Sequence, residues 1–165
     1  MDWEIIAVFA EMAGVVVVVV TLAFLAVEVK NSRKATEAAS VDALSTGFNA
    51  LHSQIITHPE FAKIWMVGCA GPDSIDDLGR LRLGLQMQSY VNHYSALKRH
   101  YESGLFPKDS WETYTIGMAA ILNSPGGLRL SSGILLTPAI AEDMIAYKDR
   151  SEQYAWFVNT ENGKE

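Results

Sequence analysis

Two histidines and three tyrosines form the densest group of side chains in this sequence that could bind a metal or transfer a proton. They fall within one stretch that the apolar spacing predicts to be helical, and they are Tyr90, His93, Tyr94, His100 and Tyr101. The two imidazoles share a helix face but are separated by about 10 Å of rise, so they cannot bind one metal ion without ligands from elsewhere. We therefore expect a structural group, with rings in the core and hydroxyls hydrogen-bonded, and no metal or other cofactor.

Catalytic sequence motifs are absent from the rest of the chain. The sequence contains no glycine-rich phosphate loop, no Gly-x-Ser-x-Gly, no His-Glu-x-x-His, no cysteine pair and no Glu-x-x-His. The Ser-Pro-Gly-Gly segment at residues 124–127 could offer backbone N–H groups to an anion, but a turn between helices is the favoured interpretation. The sequence thus predicts a protein that is not an enzyme.

A second group of polar and small side chains lies in and beside an N-terminal apolar segment. Steps of four and three residues follow one helix face, and here they select seven residues that we call the polar stripe: Ala7, Glu11, Gly14, Val18, Thr21, Leu25 and Glu28. Small and polar residues let membrane helices approach and hydrogen-bond. A carboxylate at the depth of Glu11 costs about 2.5–3.5 kcal/mol unless it is paired, protonated or in contact with water. The stripe predicts contact with another membrane helix; the alternative is that Glu11 reaches the lipid–water interface as a solvated acid.

The element that must position the polar stripe is a membrane span at residues 5–27. It contains one ionisable side chain, Glu11, and at ~1.5 Å per residue it reaches roughly 35 Å, enough for a hydrocarbon core of ~30 Å. A secretory signal peptide would begin with basic residues and have a shorter apolar core, whereas this chain begins with Asp2 and Glu4. We therefore predict an anchor helix within residues 1–30.

The charges around the span predict its orientation. Lys30, Arg33 and Lys34 follow it, and no Lys or Arg precedes it. The positive-inside rule then places the N-terminus outside and the C-terminal domain in the cytoplasm. The lone Cys69 agrees with a reducing compartment. The net charge of −6, with no basic patch, argues against nucleic acid as a partner.

An all-α cytoplasmic bundle of about four to five helices is predicted for residues 31–158, followed by a polar tail at 159–165. The anchor is expected to continue as an amphipathic helix to Thr57, because residues 32–57 lack proline and repeat apolar side chains every three or four positions. Pro59 would end it.

The boundaries of the later helices are predicted from N-cap residues and from helix-breaking prolines and glycines. Further helices are expected after Pro59, at 74–103 with Asp73 or Ser74 as the cap, and at 110–122. A helix or turn at 128–136 and a last helix at 138–154 complete the bundle. The 74–103 helix should be central, since its first half has leucines nearly all round.

The order of several short motifs resembles that of an uncharacterised family of short bacterial single-pass membrane proteins. The matching residues follow the span and its basic residues, and they are Pro59-Glu60-Phe61-Ala62, Trp65, Gly68, Tyr94, Tyr101-Glu102-Ser103-Gly104-Leu105, Trp111 and Ser124-Pro125-Gly126-Gly127. Residues 128–132 lack an aromatic that the family pattern carries. The resemblance implies an anchor helix with a helical domain on a bacterial inner membrane, and it brings no activity.

Three functions fit these observations. The favoured one is a non-enzymatic, membrane-anchored bundle that acts through assembly, as an accessory subunit of a larger membrane complex or as a self-associating scaffold; its partners would be membrane lipid and other membrane helices. The second is a homo-oligomeric cation pore lined by Glu11, Thr21 and Glu28. The third is a membrane-tethered enzyme or metal-binding bundle that uses His93 and His100.

Overall fold

The computed structural model describes residues 3–154, and within that range it contains helices and turns but no β-strand. The α-helices are α1 (Trp3–Thr57), α2 (Pro59–Ala70), α3 (Asp77–Glu102), α4 (Lys108–Leu122), α5 (Pro125–Leu130), α6 (Pro138–Ala146) and α7 (Lys148–Glu152). The all-α prediction is confirmed. The chain divides into two compact units, Met1–Ala39 and Ser40–Glu165. The predicted tail at 159–165, and the end of the predicted bundle at 155–158, lie outside the described residues.

The N-terminal unit consists of the first part of α1. Among the described residues, α1 is the one helix long and apolar enough to cross a membrane, and none of the residues in its most apolar stretch is buried. Its valines at 15–20 are each more than half exposed. A helix with such a surface needs an apolar environment such as lipid or other helices around it.

The C-terminal unit begins at Ser40 and includes the last part of α1. Leu44 is buried, and Phe48, Leu51 and Ile55 pack against the core at the predicted spacing. The helix is unbroken from Trp3 to Thr57, as predicted. It ends there because Pro59 forces the preceding residue, His58, into an extended conformation.

Helix α3 lies at the centre of this unit. Its buried side chains are those of the predicted stripe: Leu83, Met87, Tyr90, Tyr94 and Leu97. Asp76 caps the start of the helix, and its carboxylate accepts a hydrogen bond from the Gly79 N–H at 2.7 Å. The predicted caps Asp73 and Ser74 were wrong, because they form a 3-10 turn with Pro72. The predicted end is confirmed, with Gly104 in the left-handed region at φ 67°.

The first half of α3 is apolar nearly all round, but it is not buried on every side. Leu78, Leu81 and Leu85 are 54%, 57% and 60% exposed. Helix α3 packs on α2 and α4, and these three leucines fall on the face turned away from the buried stripe.

The α2 and α5 backbones touch at two glycines. A Cβ at Gly126 would lie 2.1 Å from the Gly68 carbonyl oxygen and 2.9 Å from the Cys69 Cα. The Ser124 hydroxyl caps α5 by accepting from the Gly127 N–H at 3.0 Å. The fourth helix ends at Leu122, as predicted, and residues 125–127 of the predicted turn form the start of α5. Gly126 and Gly127 are buried, and the Gly127 N–H is used by Ser124 rather than offered to an anion.

The C-terminal helices differ in detail from the expectation. Residues predicted as one helix or turn at 128–136 form the end of α5, a 3-10 turn and an extended Ile134. The predicted last helix is interrupted at Tyr147, whose backbone is non-helical (φ −101°, ψ 5°), and this separates α6 from α7.

Candidate functional site

The polar stripe lies on one side of α1. At about 100° per residue, the stripe occupies a sector of roughly 100° of the unbroken helix. All seven residues are exposed: Ala7, Glu11, Gly14, Val18, Thr21, Leu25 and Glu28. The described part of the chain therefore covers none of the polar stripe.

Gly14 and Thr21 show what this face offers to a neighbouring helix. No atom lies within 4 Å of the position that a Cβ on Gly14 would occupy, so a second backbone could approach there. The Thr21 hydroxyl donates to the Val17 carbonyl oxygen at 2.8 Å. Its proton is thus used within α1, and only its oxygen remains available, as an acceptor.

The predicted tyrosine and histidine group is distributed over the bundle core. Tyr90 is 1% exposed, and its ring lies 5.6 Å from the Trp65 ring and 5.7 Å from the His52 ring. Its buried hydroxyl has no hydrogen-bond partner among the described residues. Tyr101 is half-buried and stacks on Trp111, with 4.7 Å between ring centroids. These rings serve as packing elements.

Tyr94 is the member of the group with a full set of polar contacts. Its hydroxyl is 3.2 Å from the Thr115 hydroxyl and donates to the Asp143 carboxylate at 3.1 Å. Asp143 also binds the Lys98 ammonium at 2.5 Å. Burial raises the pKa of Tyr94 well above its usual value. The arrangement holds α3, α4 and α6 together and keeps the phenol neutral.

The roles of Lys98 and Asp143 were not predicted from the sequence. They are separated by 45 positions, and each resembles an ordinary solvated charge on its own helix. A signal was nevertheless present, because Asp143 directly precedes the buried Met144 and lies three positions after the buried Ile140, at the edge of the apolar face of α6.

The structure does not bring His93 and His100 into a shared site. His93 lies against Gly47 and near Phe48, with 5.9 Å between ring centroids, and burial lowers the pKa of its imidazole. One nitrogen of each histidine is buried without a hydrogen-bond partner in the described part of the chain. Within residues 3–154, no three His, Cys, Asp or Glu side chains are close enough to hold a metal ion.

An apolar cavity in the C-terminal unit was not anticipated. It has a volume of about 700 Å³, and its walls come from α1, α2 and α4, with Tyr154 at one side. Its polar lining is confined to a few groups, among them His52 and Thr113. Each wall helix shows only a normal amphipathic pattern, so no feature of a single segment could have revealed the space between them.

No protein-family model, no curated protein and no solved structure matches this chain. The resemblance to a family of bacterial membrane proteins stays a prediction.

Proposed function

We propose that this protein is a non-enzymatic, single-pass membrane protein that acts through assembly. In this proposal α1 crosses the inner membrane and binds another membrane helix through the polar stripe, and the bundle is held in the cytoplasm. The protein serves as an accessory subunit of a larger membrane complex or as a self-associating scaffold. One observation carries the proposal: both acids, the one hydroxyl and the one glycine of residues 5–28 share a single exposed face of an otherwise apolar helix.

The energetics of a carboxylate in lipid support this function. Glu11 lies within the apolar part of α1 and is exposed, and in hydrocarbon it would cost about 2.5–3.5 kcal/mol without a partner. A second helix that packs at Gly14 would bring its own polar groups within reach of Glu11, one turn away. Contact at the stripe therefore offsets a cost that an anchor helix alone would carry.

The proposed orientation rests on Lys30, Arg33 and Lys34, which follow the span. A cysteine at Asp2 should react with an impermeant thiol reagent on intact cells, and a cysteine at Lys164 should react only after the cells are opened. If Lys164 is labelled on intact cells and Asp2 is not, the N-terminus lies inside the cell, and the bundle is not cytoplasmic.

The assembly function is tested with Gly14→Leu and Glu11→Leu in the full-length protein. Gly14→Leu holds the backbones apart and Glu11→Leu removes the polar contact, so both should reduce assembly while membrane insertion is retained or improved. Ala23→Leu is the matched control: it also enlarges a small residue, but Ala23 lies roughly 170° from the centre of the stripe.

Assembly is measured by cross-linking and by native mass spectrometry from mild detergent. Co-purified subunits that are lost with Gly14→Leu but kept with Ala23→Leu would support an accessory subunit, and a loss of homo-oligomer would support a scaffold. A closed ring of five or more identical chains that conducts cations would favour the pore instead. If all variants assemble as well as the wild type, the polar stripe makes no contact and α1 serves only as a membrane anchor.

A further inference from the structure

The exposed leucines of α3 are part of a larger apolar surface. Leu78, Leu81 and Leu85 are each more than half exposed on one side of the helix. At the next position on this side, the Gln88 side chain accepts a hydrogen bond from the Leu135 N–H at 2.7 Å, and Leu135 is 82% exposed. We call the four leucines the leucine face. Large apolar side chains grouped on one surface indicate an interaction site.

The spacing of the α3 leucines is that of a contact between two helices. Steps of three and four residues join Leu78, Leu81 and Leu85, which is the a–d–a pattern along which the helices of a coiled coil meet. Gly84 lies beside this row, and no atom lies within 4 Å of the position that its Cβ would occupy. This side of the row is therefore open to a second helix.

Two charges beside the row specify the direction of the second helix. Asp77 directly precedes Leu78 and Arg82 directly follows Leu81, so they occupy g and e positions on opposite sides of the row. In a parallel pair of identical helices, the g side of one faces the e side of the other, and Asp77 of each copy lies beside Arg82 of the other. An antiparallel pair would instead place the two Arg82 side chains opposite each other. A parallel second copy is thus complementary in charge and in apolar surface.

Both charged side chains are accessible for such a contact. Asp77 forms an ion pair with Arg80 on its own helix, but its side chain remains 95% exposed. An exposed ion pair contributes little, and a carboxylate has acceptor sites for more than one donor. Arg82 is also exposed. Neither charge is committed to the interior of the bundle.

We propose that the leucine face binds the leucine face of a second copy of this chain, with the two α3 helices side by side and parallel. The contact is isologous, so each copy supplies the same leucines, one Asp77 and one Arg82. Four leucines from each copy bury less surface than the roughly 1,200–2,000 Å² of a stable complex, so the contact forms between chains that α1 already holds in one membrane. In this respect the inference rests on the proposed function, of which it favours the self-associating scaffold.

The test is oxidative cross-linking of the full-length Leu85→Cys protein in isolated membranes. Residues with the same number face each other at the a positions of a parallel pair, so a disulfide-linked dimer should form. Ile145→Cys is the control, because Ile145 is also apolar and exposed but lies on α6, outside the leucine face. Cys69 is fully buried and does not compete. Leu85→Cys should cross-link several-fold faster than Ile145→Cys, after each rate is divided by the rate at which the same thiol reacts with a maleimide.

Charge reversal tests the parallel direction. In the Leu85→Cys protein, either Asp77→Arg or Arg82→Asp places like charges beside each other in the pair. Each single reversal should slow cross-linking by about two- to five-fold, the usual effect of exposed charge pairs. The double reversal restores opposite charges and should return the rate to that of Leu85→Cys alone. All of these side chains are exposed, so the variants should keep the fold, which circular dichroism checks.

Three results would overturn the inference. If Leu85→Cys cross-links no faster than Ile145→Cys, the leucine face does not bind a second copy and is left to another protein or to the membrane surface. If a mixture of Leu78→Cys and Leu85→Cys chains cross-links faster than Leu85→Cys alone, the helices are antiparallel. If the double reversal is as slow as the single reversals, the two charges do not pair.

The outcome is distinguishable from that of the polar stripe. Gly14→Leu removes the proposed stripe contact but leaves α1 as an anchor, so Leu85→Cys should still cross-link in that variant. Conversely, a leucine face that does not cross-link leaves the effect of Gly14→Leu on assembly unchanged.

Discussion

Gly126→Ala should weaken the contact between α2 and α5. The added methyl group would lie 2.1 Å from the Gly68 carbonyl oxygen and 2.9 Å from the Cys69 Cα, where ordinary contacts are 3.4–4 Å. Both neighbours are backbone atoms, so no side-chain rotamer can relieve the clash. The two helices must separate by about 1 Å or more, and contacts around the buried Cys69 are lost with them.

The magnitude follows from two opposing effects. Overpacking of a close contact typically costs ~1–3 kcal/mol, and a clash with backbone belongs near the upper end. Alanine in a helix gains about 0.5–1 kcal/mol relative to glycine. The free energy of unfolding should therefore fall by about 2 kcal/mol.

The assay is urea unfolding of the full-length protein in mild detergent, followed by intrinsic tryptophan fluorescence, to which Trp65, buried on α2, contributes. Gly84→Ala is the matched control. Its added methyl group meets no atom within 4 Å, so this variant should be more stable by up to ~1 kcal/mol. A Gly126→Ala protein within about 0.5 kcal/mol of the wild type would show that α2 and α5 are not in backbone contact.

Three further outcomes are expected. Tyr94→Phe should lower the free energy of unfolding by about 1 kcal/mol, the value of its hydroxyl contacts, whereas Tyr94→Ala should lower it by ~3–5 kcal/mol through lost packing; equal losses in urea titrations would refute this division. Because burial lowers the pKa values of His52 and His93, the unfolded chain binds more protons below about pH 6.5, so stability should fall as pH decreases through and below that value. The slope should shrink in a His52→Gln, His93→Gln double variant. Cys69 is fully buried, and burial raises the pKa of its thiol to about 12; it should not react with iodoacetamide at pH 8 until the bundle is unfolded in urea, and rapid labelling of the native protein would contradict its burial.

The features that the sequence predicted correctly are those carried by one segment. The apolar composition of residues 5–27 is sufficient to identify a helix that could cross a membrane. Likewise, the three-four spacing of Leu83, Met87 and Tyr90 identifies the buried side of α3. In both cases, composition or periodicity within a short window decides the outcome.

The features that were missed depend on contacts between distant segments. Four residues near the start of α3 have side chains that can cap a helix, namely Asp73, Ser74, Asp76 and Asp77. Asp76 becomes the cap because Asp73 and Ser74 belong to the 3-10 turn that begins at Pro72. Leu81 has the apolar character of a core residue, and its exposure depends on which helices pack on α3. The ion pair of Lys98 with Asp143 requires the register of α6 on α3, which no local pattern specifies.

The contact between Gly68 and Gly126 also has a consequence for biosynthesis. The two glycines are 58 positions apart in the chain, and at about 5–20 residues per second the second leaves the ribosome roughly 3–12 s after the first. During that interval α1 can already engage the membrane while α2 lacks its α5 partner. A nascent chain that has not yet reached Pro125 should therefore expose α2 at Gly68 and Cys69, where α5 packs in the complete protein, and this is the stage at which a chaperone or protease would have the best access to the bundle.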